Sequence, residues 1–410
     1  MPTSRYSERT LLLLLAAVQF THILDFMVIM PLGEQLMREL TIGPAQFSHL
    51  VAAYTISAGV VGLITAPFMD RFDRRKVLLI AYAGFFFGTV ACALSKSAET
   101  LLISRAICGA FGGVSGATIM AIVGDIVPPQ RRASGMAVIM GAFAAAAALG
   151  VPFGLFLAQK FRWEMPFVLV AGMGVVVWAL IYVMLPPVRA HLDDTPMHHL
   201  KDFFELLRDA NAGRALLFMS ALVMGHFAII PLLAPNMVSN IGLPENKLFL
   251  IYFVGGVCSA FTAPICGRLA DRFGRLRIFG ILICVACAVT LWISNSGLMP
   301  VWAVLISAGL FFTFASGRFI PAQAILSLAV PAKRRGSFMS LTSCTRDLTS
   351  GITSSLGGWI VTKSPTGHLV GYDKLGWLAV GMSLLSLWLA SRVQVKEVHH
   401  AKHATAEPAH

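Results

Sequence analysis

The sequence predicts an all-α integral membrane protein built as two pseudo-symmetric six-helix bundles, twelve transmembrane helices in all. Three observations carry that expectation. The chain is 57% hydrophobic and only 13% charged, where soluble domains carry about 25% charged residues, and its mean hydropathy is +0.75. Its apolar residues gather into runs of membrane-spanning length, about 17–25 residues each. Finally, the string Asp70-Arg71-Phe72-Asp73-Arg74-Arg75-Lys76 returns as Asp271-Arg272-Phe273-Gly274-Arg275-Leu276-Arg277, 201 residues further along a chain of 410. One unit is written twice.

Taken in order, the apolar runs place helices at 11–32, 46–69, 77–95, 100–123, 134–158 and 165–185, then at 214–236, 247–268, 277–295, 300–325, 336–361 and 375–392. The first run follows Arg5 and Arg9 as a signal peptide would. It is too long for one, and eleven more follow, so it is read as a membrane helix. This gives an N-terminal bundle over 1–185, a linker over 186–213, a C-terminal bundle over 214–392 and a tail over 393–410.

Orientation follows from where Lys and Arg fall. Links on the side of the N-terminus hold 22 of the 32, the opposite links hold 7, and Arg105, Arg318 and Arg346 lie inside helices. The positive-inside rule then puts both termini and the linker in the cytoplasm, for a multi-pass protein of the cell's inner membrane. The net charge of +12 sits in short links rather than on a basic face, so no nucleic-acid partner is expected. A lipid bilayer and a small-molecule substrate are the expected partners, and the chain is expected to be a monomer.

The linker is the one shift in composition. Leu200, Phe203, Phe204 and Leu207 recur in it at helical spacing, which predicts an amphipathic segment at the membrane surface that tethers the halves. The tail carries His399, His400, His403 and His410 and reads as solvated rather than metal-binding. All seven cysteines lie in apolar runs, so packing is their expected role and no disulfide framework is inferred.

The repeat reaches beyond the charged string. Val127-Pro128-Pro129-Gln130-Arg131-Arg132-Ala133-Ser134 is echoed by Val330-Pro331-Ala332-Lys333-Arg334-Arg335-Gly336-Ser337, and Asp25-Phe26 ahead of Pro31 by His226-Phe227 ahead of Pro231. Six helices per half give both halves the same orientation. Two parallel halves around a midplane cavity are the architecture of alternating-access carriers.

Charges inside the membrane are the candidate functional residues, since each costs about 2.5–3.5 kcal/mol at a helix centre. They are His22, Asp25, Arg105, His226, Arg318, Arg346 and Asp347. Asp25 and Arg105 lie at matching depth in the first and fourth helices, so they are placed to pair across the cavity, with His22 one turn from Asp25. Burial favours a neutral carboxyl and a neighbouring cation favours the ionised one. Asp25, Arg105 and His22 are therefore the expected proton-coupling set. His226, Arg318, Arg346 and Asp347 are the expected lining of a substrate cavity that takes a polar or anionic group. Their alternative role is to brace helices.

These motifs together resemble the major facilitator superfamily over the whole chain, in particular its twelve-helix drug/proton antiporters and sugar-efflux (arabinose efflux permease)-like exporters. The family's signature link, Gly-x-x-x-Asp-Arg-x-Gly-Arg-Arg, is matched best by Gly267, Asp271, Arg272, Gly274 and Arg275. The first copy keeps Asp70, Arg71, Arg74 and Arg75 but has Ala66 and Asp73 where the family has glycine. Arg105 and Gly109 match the fourth-helix motif. The Gly-rich fifth-helix motif is only partly met by Gly141, Gly150, Pro152 and Gly154, with Val151 interrupting its Gly-Pro ending.

The resemblance implies that Asp70, Arg74 and Asp125 form a cytoplasmic latch holding the outward-facing state, with Arg71 and, in the second half, Gly267, Asp271, Arg272 and Arg275 completing the cytoplasmic gate. The position matching Asp125 in the second half is Leu328, so the latch is expected to be lopsided. The expected function is secondary active transport: proton-coupled efflux of a small organic molecule such as a drug, sugar or metabolite, with the proton as coupling ion and no cofactor. The alternatives are proton- or sodium-coupled uptake of a polar or anionic metabolite, and a non-transporting sensor or scaffold derived from a carrier. The sequence contains neither a Walker motif, as ATP-driven pumping would need, nor a nucleophile–base or metal-ligand set, as a membrane enzyme would need.

Overall fold

The computed structural model describes residues 6–69, 71–128, 131–189, 205–206, 208–331 and 334–394. The expected surface segment at Leu200–Leu207, the histidine tail and Asp70 lie outside these residues, apart from Glu205 and Leu206.

The N-terminal half runs α1 (Glu8–Val28), α2 (Gly33–Glu39), α3 (Pro44–Met69), α4 (Arg74–Leu94), α5 (Ala98–Ile126), α6 (Arg132–Ala145), α7 (Val151–Lys160) and α8 (Met165–Met184). The C-terminal half runs α9 (Ala210–Phe227), α10 (Leu233–Ser239), α11 (Leu248–Phe273), α12 (Arg275–Asn295), α13 (Val301–Gly317), α14 (Phe319–Leu328), α15 (Arg335–Ile360) and α16 (Tyr372–Arg392). The helix starts are locally encoded. Ser7 and Asp209 cap α1 and α9, and Ser97 and Thr100 close a capping box on α5, each satisfying amides that have no partner within the helix.

Among the described residues twelve spans result, three of them interrupted; the seventh breaks between α9 and α10 through a 3-10 turn at Ile230–Leu232. The fifth passes from α6 to α7 through a π-turn at Ala146–Gly150, with Pro152 in the first turn of α7; proline lacks the amide that would close an ordinary turn there. The tenth breaks between α13 and α14 at Arg318. Eleven spans are apolar enough to cross a membrane by composition. The remaining one is α15, whose Ser, Thr, Arg346 and Asp347 make it the polar span of the bundle. It packs along α3 of the other half, so its polar residues face protein rather than lipid.

Within the N-terminal half, α5 lies between α3 and α4, while α1 packs on α6 and α8. The two halves close on each other at the face opposite the termini. There Glu34 accepts from Lys363 Nζ at 2.6 Å and from Ser239 Oγ at 3.1 Å, and Arg38 pairs with Glu245 at 3.0 Å. Gln159 Nε2 also donates to the Glu245 carbonyl at 2.6 Å. Lys363 is presented by a two-stranded hairpin, β1 (Thr362–Lys363) and β2 (Leu369–Val370), with Thr362 opposite Val370.

Candidate functional site

Asp25 and Arg105 meet as the depth matching predicts. Arg105 Nη1 donates to Asp25 Oδ2 at 2.7 Å and to the Asp25 carbonyl at 3.1 Å, and Thr89 Oγ1 donates to Asp25 Oδ1 at 3.2 Å. The structure corrects the setting: the pair does not meet across an open cavity but inside the N-terminal bundle, where neither side chain has any exposure. Tyr54 of α3 is the cause. Its ring lies 4.5 Å from the Arg105 guanidinium, a cation–π contact made in a desolvated place. Gly109 permits this closeness, because a Cβ there would stand 2.0 Å from the Tyr54 carbonyl oxygen. The Arg105–Gly109 motif is thus one device: the arginine bears the charge and the glycine lets α3 close over it.

The cluster around the pair has polar capacity to spare. Arg105 Nε and Nη2, the Tyr54 hydroxyl and both His22 ring nitrogens make no hydrogen bond among the described residues. His22 packs between Tyr54 and Phe85, with ring centroids 5.9 and 5.8 Å away. Phe26, next to Asp25 in the chain, packs on Tyr54 with ring centroids 5.3 Å apart and on Phe227 of the other half at 6.4 Å. The pair therefore lies one layer of side chains from the seam between the halves.

The four C-terminal candidates separate into two groups. Arg346 and Asp347 pair with each other at 3.1 Å and remain 43% and 25% exposed in mid-helix, so both reach solvent-accessible space although neighbouring positions diverge by about 100°. Arg318 and His226 are packed inside the C-terminal bundle. Arg318 donates to Ser383 Oγ at 2.7 Å and to the Ala315 carbonyl at 3.2 Å, and His226 is enclosed by Phe227, Phe311 and Phe319. The structure thus brings two of the four to accessible space.

On the face of the termini, Arg74 Nε and Asp125 Oδ2 lie 2.7 Å apart, both largely buried. In the second half Asp271 is exposed, Arg272 stacks on Phe273 and Leu328 stands in the place of Asp125. Gly267 is not sterically demanded, since a Cβ would meet only Ile320, at 4.0 Å.

Sequence reasoning missed Asp73. It caps α4 by accepting from the Arg75 amide at 3.0 Å, and it also takes the Val188 amide at 3.1 Å and Arg189 Nε at 2.8 Å. It therefore ties the start of the linker to the first charged link. Burial alone would raise its carboxyl, but Arg189 and the two amides outweigh this and hold it below the usual carboxylate range. The departure from the family's glycine has a conformational counterpart. Asp73 has φ −57°, whereas Gly274 has φ +94°, a region that side chains avoid. The one signal in the sequence was an acid just ahead of an apolar run, the pattern of an N-cap.

Two six-helix halves in parallel, a seam closed on one face, and buried charge beside that seam are the architecture of a membrane carrier. The family model for the Major Facilitator Superfamily matches residues 15–354 and 216–409, and the chain belongs to that superfamily. It is 23% identical over 347 residues to an uncharacterized MFS-type transporter, YceJ, of Bacillus subtilis, covering 84% of this chain and 87% of that one. It is 22% identical to multidrug resistance protein D of Escherichia coli, covering 88% and 90%. A solved D-xylose–proton symporter superposes with a TM-score of 0.75 at 16% identity, over 93% and 97% of the two chains, and shares the fold. The protein is a multi-pass membrane transporter.

Proposed function

We propose that the chain is a proton-coupled exporter of a small organic molecule in the inner membrane, with both termini cytoplasmic. The observation that carries this reading is the Asp25–Arg105 pair, sealed at zero exposure one side-chain layer from the seam. An ion pair removed from water is held by its geometry, and parting its members leaves each with an uncompensated charge that a proton on the carboxylate relieves. A movement of α1 or α5 that separates Asp25 from Arg105 thereby loads a proton, and re-formation of the pair expels it. His22 lies on the seam side as the relay. Arg346 and Asp347 are the proposed contacts for a polar or charged group on the substrate, while Arg318 and His226 brace the C-terminal bundle. The names of the relatives are compatible with export but do not choose the cargo.

The test is a substrate screen in proteoliposomes with an imposed pH gradient and known protein orientation. Export predicts that substrate accumulates on the side from which protons leave. Accumulation on the side to which protons flow identifies an uptake symporter, for which the accessible Arg346 and an anionic metabolite are the natural pairing. Binding without transport across the whole panel points to a sensor derived from a carrier. Single cysteines at Lys96 and Lys363, labelled by an impermeant reagent from outside, test the orientation.

A further inference from the structure

On the flank of the N-terminal half, α3 and α4 stand on either side of α5 and leave a trough of about 770 Å³, within the roughly 300–1,000 Å³ of small-ligand sites. Its floor is Ala110, Phe111 and Val114 of α5, and its walls are Val61 of α3 with Val77 and Ile80 of α4. The trough is separate from the transport site. At 100° per residue, Ile107, Phe111 and Val114 fall on the side of α5 opposite Arg105 and Gly112, which face α1. Ile107, Phe111 and Ile80 are all exposed, so this side of the bundle opens to the hydrocarbon of the bilayer.

The end of the trough nearest the termini is different in character. Among the described residues it is ringed by Arg71, Lys76 and Arg189, with Asp73 as the one acid that lines it. Asp73 is already engaged by Arg189 and by two backbone amides. Arg71 lies 5.5 Å over the Phe68 ring, and neither it nor Lys76 has an ion-pair partner among the described residues. Among the described residues the rim therefore carries two cations without an ion-pair partner, where α3 ends and α4 begins, the level of the lipid headgroups.

We propose that this trough binds an anionic glycerophospholipid from the leaflet on the side of the termini. An acyl chain lies along the α5 floor, and the phosphate is held by Arg71 and Lys76, with Arg189 beside them. Charge complementarity fixes the class of ligand. A zwitterionic lipid brings its own cation to a rim whose one acid among the described residues, Asp73, is already engaged, and a soluble phosphate leaves the apolar walls unused.

The test uses the full-length protein, stripped of lipid in detergent and titrated with dioleoylphosphatidylglycerol, dioleoylphosphatidylcholine or glycerol phosphate, with bound lipid counted by native mass spectrometry. Each cation near the surface is expected to contribute about fivefold in affinity. Phosphatidylglycerol should therefore bind more tightly than phosphatidylcholine, and the Arg71→Gln/Lys76→Gln variant should lose about 25-fold for the former and little for the latter. Ala110→Phe, which fills the floor, should weaken both lipids. An Ile80→Trp reporter should be quenched by brominated phosphatidylglycerol at lower concentration than by the brominated choline lipid. Equal affinity for the two lipids, or an unchanged affinity in the double variant, overturns the proposal. Glycerol phosphate binding as tightly as the lipid overturns the role of the trough, leaving an anion site only. Unaltered melting and gel-filtration behaviour of the variants confirms that they are folded.

Discussion

Arg74 and Asp125 meet at 2.7 Å, and their counterparts in the second half, Arg275 and Leu328, have no such bond to make. The repeat has therefore kept its charged strings and lost the ion pair from one copy. If the pair serves as a latch, Arg74→Ala and Asp125→Asn should each slow the transport cycle, whereas Arg275→Ala should not. A partly exposed pair is worth up to about 1 kcal/mol, which corresponds to about a fivefold change in rate. Ligand affinity should be retained. Turnover measured on the three variants in parallel decides it, and equal slowing in both halves would count against a one-sided latch.

The same two strings yield a pair of opposite glycine substitutions. Asp73→Gly restores the family residue yet should destabilise, because φ −57° needs no glycine and the cap is lost. Loss of a cap costs about 1 kcal/mol. Gly274→Asp copies the first half into the second and should also destabilise, by about 1–2 kcal/mol, since φ +94° disfavours a side chain. Thermal melting in detergent reads both. For Asp73 the sign with pH is fixed: its folded carboxyl lies below the usual range, so its contribution is full above the unfolded value of about 3.9 and is lost as pH falls through the folded value. The stability gap between wild type and Asp73→Asn should therefore close on acidification below about pH 4. A gap that widens there would reverse the assignment.

The ties on the face opposite the termini are exposed and individually weak, apart from Glu34, which is mostly buried and holds both Lys363 and Ser239. Glu34→Gln should shift the carrier toward the state open on that face by about fivefold, for a loss near 1 kcal/mol. Arg38→Ala should do less, its side chain being 55% exposed. A cysteine at Ser355, beneath this closure beside His49, should then react faster with a reagent added from that face. No change in its labelling rate would show that the close packing of α3 on α15 holds the closure alone.

The sequence made some of this site legible and hid the rest, for physical reasons. Depth along a helix follows from residue number, so the Asp25–Arg105 pairing could be read from two spans of known direction. Rotation about the helix axis and the closeness of a third helix do not follow. Only the packing of α3 on α5 at Gly109 shows that Tyr54 covers the pair. Hydropathy counted twelve spans, including α15, but not that α15 is the polar one and meets α3. Arg318 and Arg346 looked alike as charges in apolar runs. One found Ser383, 65 positions away, and is sealed, whereas the other pairs with its neighbour and stays accessible. Asp73 was passed over because two of its partners, Val188 and Arg189, lie more than a hundred residues along the chain.

The decisive prediction concerns Asp25. Asp25→Asn fixes the neutral form, so it should abolish accumulation driven by a pH gradient while leaving ligand binding or downhill exchange in place. The single variant strands Arg105 at zero exposure, and breaking a buried pair from one side costs about 3–5 kcal/mol. Loss of folded protein could then imitate loss of coupling. The Asp25→Asn/Arg105→Gln double variant removes both charges and should recover most of that stability, because two neutral amides of similar shape can hydrogen-bond in the same space. It should remain uncoupled. His22→Gln, whose ring nitrogens have no partner among the described residues, should slow proton-driven transport without destabilising the fold. If the double variant melts like wild type and still builds a gradient of substrate from a pH gradient, the pair is structural. Asp347, the accessible carboxylate of α15, would then be the group to test for the coupled proton.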